Sequence, residues 1–261
     1  MKTTHHDQNR VATSRRALLR ASVATAAVAA GTGLVTGASP AGASPAGASP
    51  VDASPSGATA SGRPSPRPDT PAAALAELSA GNRRWRTLHQ RHPHEARPLR
   101  RSLVSGQHPF ALILGCIDSR VPPELVFDQG LGDLMTVRSA GEVLDEAVLG
   151  SIAYGVLELG IPLVVVLGHQ ACGAVAAAVE AEETGESLPA HIQYIADQIK
   201  PAIDHDHHGD ARVDATIDAQ VRLVRSRLSR EADLAAQVNA GKLAIVGARY
   251  ELSTQLVHRV R

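Results

Sequence analysis

Phe110-Ala111-Leu112-Ile113-Leu114-Gly115-Cys116-Ile117-Asp118-Ser119-Arg120 and Leu163-Val164-Val165-Val166-Leu167-Gly168-His169-Gln170-Ala171-Cys172-Gly173 decide the fold. Each begins as a short aliphatic run and ends abruptly in glycine followed by polar or reactive residues. Uninterrupted apolar runs of this length read as strands buried on both faces, the pattern of a parallel sheet. The second run is strongly β-branched, which suits a central strand.

Working outward, Leu134-Met135-Thr136-Val137-Arg138 reads as a weaker strand and Leu243-Ala244-Ile245-Val246-Gly247 as a fourth. Helical spacing separates them. Thr70-Pro71 resembles a helix start, a capping side chain followed by proline in the first turn, and opens a helix over residues 72–88. Residues 143–159 carry Leu144, Val148, Ile152 and Val156 on one helical face, with Gly160 placed to end the helix. Further helices are expected over 174–183, 192–199 and 217–238. Strands alternating with helices predict an α/β fold, a mainly parallel β-sheet flanked by helices. In such sheets ligands bind beyond the carboxyl ends of the strands, where the two opening stretches place Cys116, Asp118, Arg120, His169 and Cys172.

Composition narrows the function. The 261 residues carry 26 Lys+Arg and 26 Asp+Glu, so no basic surplus points to nucleic acid or an anionic membrane. One Trp, three Tyr and two Phe leave a core of Ala, Val, Leu and Ile. Two cysteines could pair but are too few for a disulfide framework, and each follows an aliphatic run, as a site residue on a scaffold would.

A thiolate, an imidazole and a second thiolate at one sheet edge form the donor set that suits tetrahedral zinc. Three protein donors leave a fourth position, and zinc brings the pKa of a water there from ~16 towards ~7. Taken singly, a cysteine after a strand is often a small buried hydrophobe and a histidine there often bonds backbone. Taken together, beside an Asp and an Arg, they point to a metal.

The paired motifs Cys116-Ile117-Asp118-Ser119-Arg120 and His169-Gln170-Ala171-Cys172-Gly173 resemble those of the β-carbonic anhydrase family, with similarity over about residues 70–250 that includes Phe127-Asp128-Gln129-Gly130. The resemblance implies one zinc ion per subunit on Cys116, His169 and Cys172, with Asp118 and Arg120 as a catalytic dyad. It also implies that Gln107 hydrogen-bonds substrate and that the Gly173 N–H faces bicarbonate. The implied activity is reversible hydration of carbon dioxide to bicarbonate and a proton, in a homodimer or homotetramer with clefts at subunit interfaces. Hydrolysis of carbonyl sulfide or carbon disulfide on the same fold is an alternative. A non-catalytic secreted zinc-binding protein is another, although zinc binding alone does not need Asp118 and Arg120. The chain departs from many members at Met135, Ser139 and Glu142. Arg138 matches an arginine of a non-catalytic bicarbonate site in some members, but Ile113 stands where that site has tryptophan. The His205-Asp206-His207-His208 cluster reads as a polar loop before a helix.

Residues 1–43 resemble a twin-arginine export signal: Ser14-Arg15-Arg16-Ala17-Leu18-Leu19-Arg20, a mild apolar stretch, then small-residue sites such as Ala41-Gly42-Ala43. The stretch is too weak for a spanning helix, so no stable membrane span is expected after processing and the protein is expected outside the cytoplasm. An Ala/Ser/Pro/Gly-rich repeat over 44–69 reads as a disordered linker, and residues 70–261 as the catalytic domain.

Overall fold

The computed structural model describes residues 67–261. The expected export signal and most of the expected linker lie outside them. Helix α1 (Pro71–Arg86) starts as its chemistry dictates: the Thr70 hydroxyl accepts from the Ala73 N–H at 3.2 Å, and Pro71 fills a position that needs no donor. There follow α2 (Arg97–Ser102), β1 (Ala111–Gly115), α3 (Pro123–Val126), β2 (Leu134–Arg138), α4 (Glu146–Leu157), β3 (Leu163–His169), α5 (Gly173–Thr184), α6 (Ile192–Ile199), α7 (Gly209–Leu228), α8 (Ala232–Asn239), β4 (Ala244–Tyr250) and β5 (Val257–Val260).

The strands form one five-stranded sheet in the order β2-β1-β3-β4-β5. The first four are parallel, and β5 is an antiparallel edge. Alternation along each strand sorts the core into two layers. Leu112, Leu114, Val164 and Val166 face Ile152 of α4 and Val221 of α7, whereas Ala111, Ile113, Leu163, Val165 and Leu167 face Ala74 and Leu78 of α1 and Val126 of α3. Each fully buried Leu, Ile or Val contributes roughly 1.5–3 kcal/mol, so these layers hold the sheet. A third apolar cluster, including Val143, Val175, Ile199 and Ile217, underlies Cys116 and Cys172. Register completes the placement: Gly115 lies beside Arg138 on one side and Leu167 on the other, so β1, β2 and β3 deliver their following residues to one edge.

Besides adding the short helices α2 and α3, the structure departs from the expected elements in two places. The single helix expected over 217–238 is two helices, and the first begins earlier, at Gly209. The chain breaks at Ser229–Glu231, where Glu231 is extended (φ −60°, ψ 124°). Leu228 and Leu234 enter the same core layer; on one unbroken helix they would point about 120° apart. The other departure is β5, whose short, mixed sequence Val257-His258-Arg259-Val260 becomes a strand by pairing with β4. Among the described residues, no helix is long and apolar enough to cross a membrane.

Candidate metal centre

Cys116 follows the last residue of β1, His169 ends β3, and Cys172 is the N-cap of α5. Their donor atoms all lie within 4.8 Å of one another, the one such group of three among the described residues. The two sulfurs are 3.9 Å apart and unbonded. Two thiolates on a tetrahedral zinc, each at ~2.3 Å, would be separated by about 3.8 Å, so the spacing fits a shared ion.

His169 supplies the second test. It is fully buried. Its Nδ1 lies 2.9 Å from the carbonyl oxygen of Gln170, and a carbonyl can only accept. Nδ1 therefore carries the proton and Nε2 presents a lone pair. That Nε2 is buried without a hydrogen-bond partner, a costly arrangement unless a cation completes it. The three residues thus fit zinc.

The sulfurs are electrostatically unequal. The hydrogen-bonding contact with Cys172 is the main cause that draws Cys116 down to about 4, and the Gly141 N–H (3.4 Å from the sulfur) adds to it. Cys172 is pushed up by its bond to Cys116 and by burial. A cation binding both sulfurs would displace whatever proton they carry. The Gly141 contact depends on a left-handed turn: Gly141 has φ 64° and Glu142 φ 53°. Glu142 is buried beside Cys116, and burial together with the Cys116 charge pushes its carboxyl well above the usual range.

Asp118 is fixed by Arg120. The guanidinium donates to both carboxylate oxygens, at 2.9 and 2.7 Å, and the Arg120 backbone N–H adds a third bond at 2.9 Å. These bonds, led by the guanidinium's, depress Asp118 to about 2. Asp118 Oδ2 remains 3.9 Å from His169 Nε2, so the carboxylate borders the donor cluster while held by its arginine. Arg120 also donates to the carbonyl of Ala171 at 3.3 Å, tying the two motif loops together. Arg138 clamps the first loop from beneath, through the carbonyls of Cys116, Asp118 and Val121. It is engaged with backbone, and Ile113 is fully buried, so neither is arranged to line a second anion site.

Cys116, Ile117, Asp118, Ala140, Gly173, Leu188 and Ile192 line an apolar cleft of about 380 Å³. Gly173 opens α5, and a β-carbon there would meet no atom within 4 Å. Packing does not demand glycine at this position, and the glycine keeps the cleft floor open. Gln107 is placed elsewhere. It is exposed and precedes β1, whereas Cys116 follows it. The five-residue strand between them is roughly 17 Å long at ~3.3 Å per residue; Gln107 lies before its amino end and is not among the residues that line the cleft. His205–His208 form a polar turn that ends in the N-cap of α7, with His207 bonded to Asp204 and His205 to Arg212. The Arg138 clamp and the Gln170 carbonyl carry no pattern that sequence spacing displays.

A sequence profile described as carbonic anhydrase matches residues 111–257. Carbonic anhydrase 2 of Mycobacterium tuberculosis is 42% identical over 184 residues, covering 70% of this chain and 89% of its own. The carbonic anhydrase of Mycolicibacterium smegmatis is 42% identical over 185 residues, covering 70% and 90%. A structure from Sordaria macrospora, one of two described as tetrameric β-carbonic anhydrases, superposes with a TM-score of 0.59 at 19% identity over 71% of this chain and 96% of its own, a likeness of fold. With profile, relatives, fold and donor set in agreement, the chain belongs to the carbonic anhydrase family and is an enzyme of its β class.

Proposed function

We propose that the protein catalyses the reversible hydration of carbon dioxide to bicarbonate and a proton. The observation that carries this reading is the Asp118–Arg120 pair, held at the rim of the Cys116–His169–Cys172 cluster and facing an apolar cleft. A zinc ion on Cys116 Sγ, His169 Nε2 and Cys172 Sγ would supply water activated near neutral pH. The remaining chemistry belongs to the chain. Asp118, ionised and aimed by Arg120, accepts a hydrogen bond from the nucleophile and orients its lone pair. Ile117, Ala140, Leu188 and Ile192 offer a neutral linear molecule an apolar wall. The Gly173 N–H, at the start of α5, is suited to an anionic product.

The distance of Gln107 from its own cluster supports a further part of the proposal: a second copy of the chain supplies this residue, in a homodimer or homotetramer. The tetrameric Sordaria relatives support assembly. The Ser14–Arg20 motif supports export by a twin-arginine route. Stopped-flow hydration of carbon dioxide by zinc-loaded protein, with carbonyl sulfide and carbon disulfide assayed in parallel, tests the activity. Rapid hydration that falls steeply, but measurably, in Asp118→Asn is expected. Full zinc content with hydration no faster than buffer would overturn the reading.

A further inference from the structure

We infer that Gln170 is a positioning residue for His169, anchored through its side chain to the turn between β4 and β5. The inference rests on reading Cys116, His169 and Cys172 as a metal site. Gln170 makes three bonds in three directions. Its carbonyl accepts from His169 Nδ1–H at 2.9 Å, its N–H donates to the Tyr250 carbonyl at 2.9 Å, and its Oε1 accepts from the Ser253 N–H at 3.0 Å.

The first bond fixes the imidazole tautomer and ring angle, and with them the direction of the Nε2 lone pair. The other two decide whether that carbonyl can move. Immediately after Gln170 the chain leaves the strand, with Ala171 in the left-handed region at φ 54°, where residues other than glycine are strained. The peptide joining these residues is the natural place for the loop to relax, and relaxation would swing the carbonyl away from His169. The Gln170 side chain opposes this by holding the turn of residues 251–256.

That turn is a firm anchor. The Glu251 N–H bonds the Leu256 carbonyl at 2.8 Å. Buried Asn82 of α1 donates to the Gln255 carbonyl and accepts from the Val257 N–H, both at 2.9 Å. Glu251 also pairs with Arg249 and His258. The orientation of one metal donor is thereby referred, through a single amide, to α1 and the β4–β5 hairpin. Neither strand spacing nor the motif singles out this residue, because the partner of its side chain lies 83 positions away.

The test uses the full chain and reads the metal rather than turnover. Zinc affinity is measured by competition with a chromophoric chelator, and the cobalt(II)-substituted protein by its visible spectrum. Gln170→Ala should weaken zinc binding ~10–100-fold, the range for loss of a group that orients a ligand, and should shift the cobalt bands. Gln170→Glu retains the acceptor oxygen and should restore both. Ser253→Pro removes the donor and should reproduce Gln170→Ala, and the double variant should be no worse than either single one. Gln170→Ala with a wild-type spectrum and zinc affinity within about twofold of wild type would overturn the inference, even if its thermal stability fell. Wild-type protein that takes up neither metal would overturn the metal-site reading and this inference with it.

Discussion

Arg138, at the end of β2, donates its Nε–H to the carbonyl oxygen of Cys116 at 2.7 Å. The same guanidinium reaches the carbonyls of Asp118 and Val121, so one side chain of a neighbouring strand shapes the loop that carries both Cys116 and Asp118. Arg138→Ala should lower stability by about 1–2 kcal/mol, since the bonds are charge-assisted but at the surface, and should lower activity further than metal content. Arg138→Lys keeps the charge but not the fork and should recover only part of the loss. Thermal unfolding and metal analysis of both variants check this, and an Arg138→Ala protein with wild-type turnover would remove the clamp from the mechanism.

Replacing Arg120 separates orientation from metal binding. Arg120→Ala should release Asp118 to turn toward the donor cluster, from which it is held 3.9 Å away. Zinc content should stay near one per subunit while kcat/KM falls by at least ~10²-fold. A crystal structure of the variant is the direct check; a carboxylate unmoved from its present place would refute the gatekeeping role.

Cys172→Ser should lose most of its zinc, because a hydroxyl is a hard, weakly acidic substitute for a thiolate. Metal analysis of the purified variant decides the matter. Full occupancy would take Cys172 out of the donor set.

Gly173→Ala should divide stability from catalysis. No atom lies within 4 Å of the new methyl and alanine favours helix, so the melting temperature should hold or rise slightly. The methyl projects into the cleft, so kcat/KM should fall roughly tenfold or more. A variant equal to wild type in both would show that the cleft does not need an open floor at this point.

Asp118 is held at about 2 by Arg120, so it is fully ionised wherever activity is measurable. Any limb of the pH–rate profile in the range of roughly pH 5–8 must therefore arise from another group. Asp118→Asn should depress the whole profile without moving that limb. A limb that moves with this substitution would assign the titration to Asp118 after all.

The parallel sheet was legible because β1 and β3 are buried on both faces, and burial writes itself into the sequence as unbroken aliphatic runs. Cys116 and His169 were legible because each directly follows or ends such a run, and Cys172 because it lies three residues beyond His169 in the turn that opens α5, so strand direction brings all three to one edge. Gln107 was legible only through its match to a motif: it precedes β1 while Cys116 follows it, so strand direction does not place it at the edge that carries the donors. The break between α7 and α8 contains no glycine or proline and arises from the need to bury Leu228 and Leu234 in one layer, a tertiary demand. The bonds of Arg138 and Gln170 go to backbone groups, which have no identity in a sequence.

The donors come from β1, β3 and the first turn of α5, and β1 meets β3 only after the intervening β2 and α4 have folded back across the sheet. An unfinished chain presents scattered thiols, and the three-donor geometry exists only once this non-local pairing has closed, a slow step in parallel sheets. An ion captured there binds the folded state and not its precursors, so it adds stability by mass action while the folding barrier, crossed earlier, is little changed. Its effect falls on the unfolding rate. A metal bound at this centre would then set how long the molecule remains folded, rather than how quickly it becomes so.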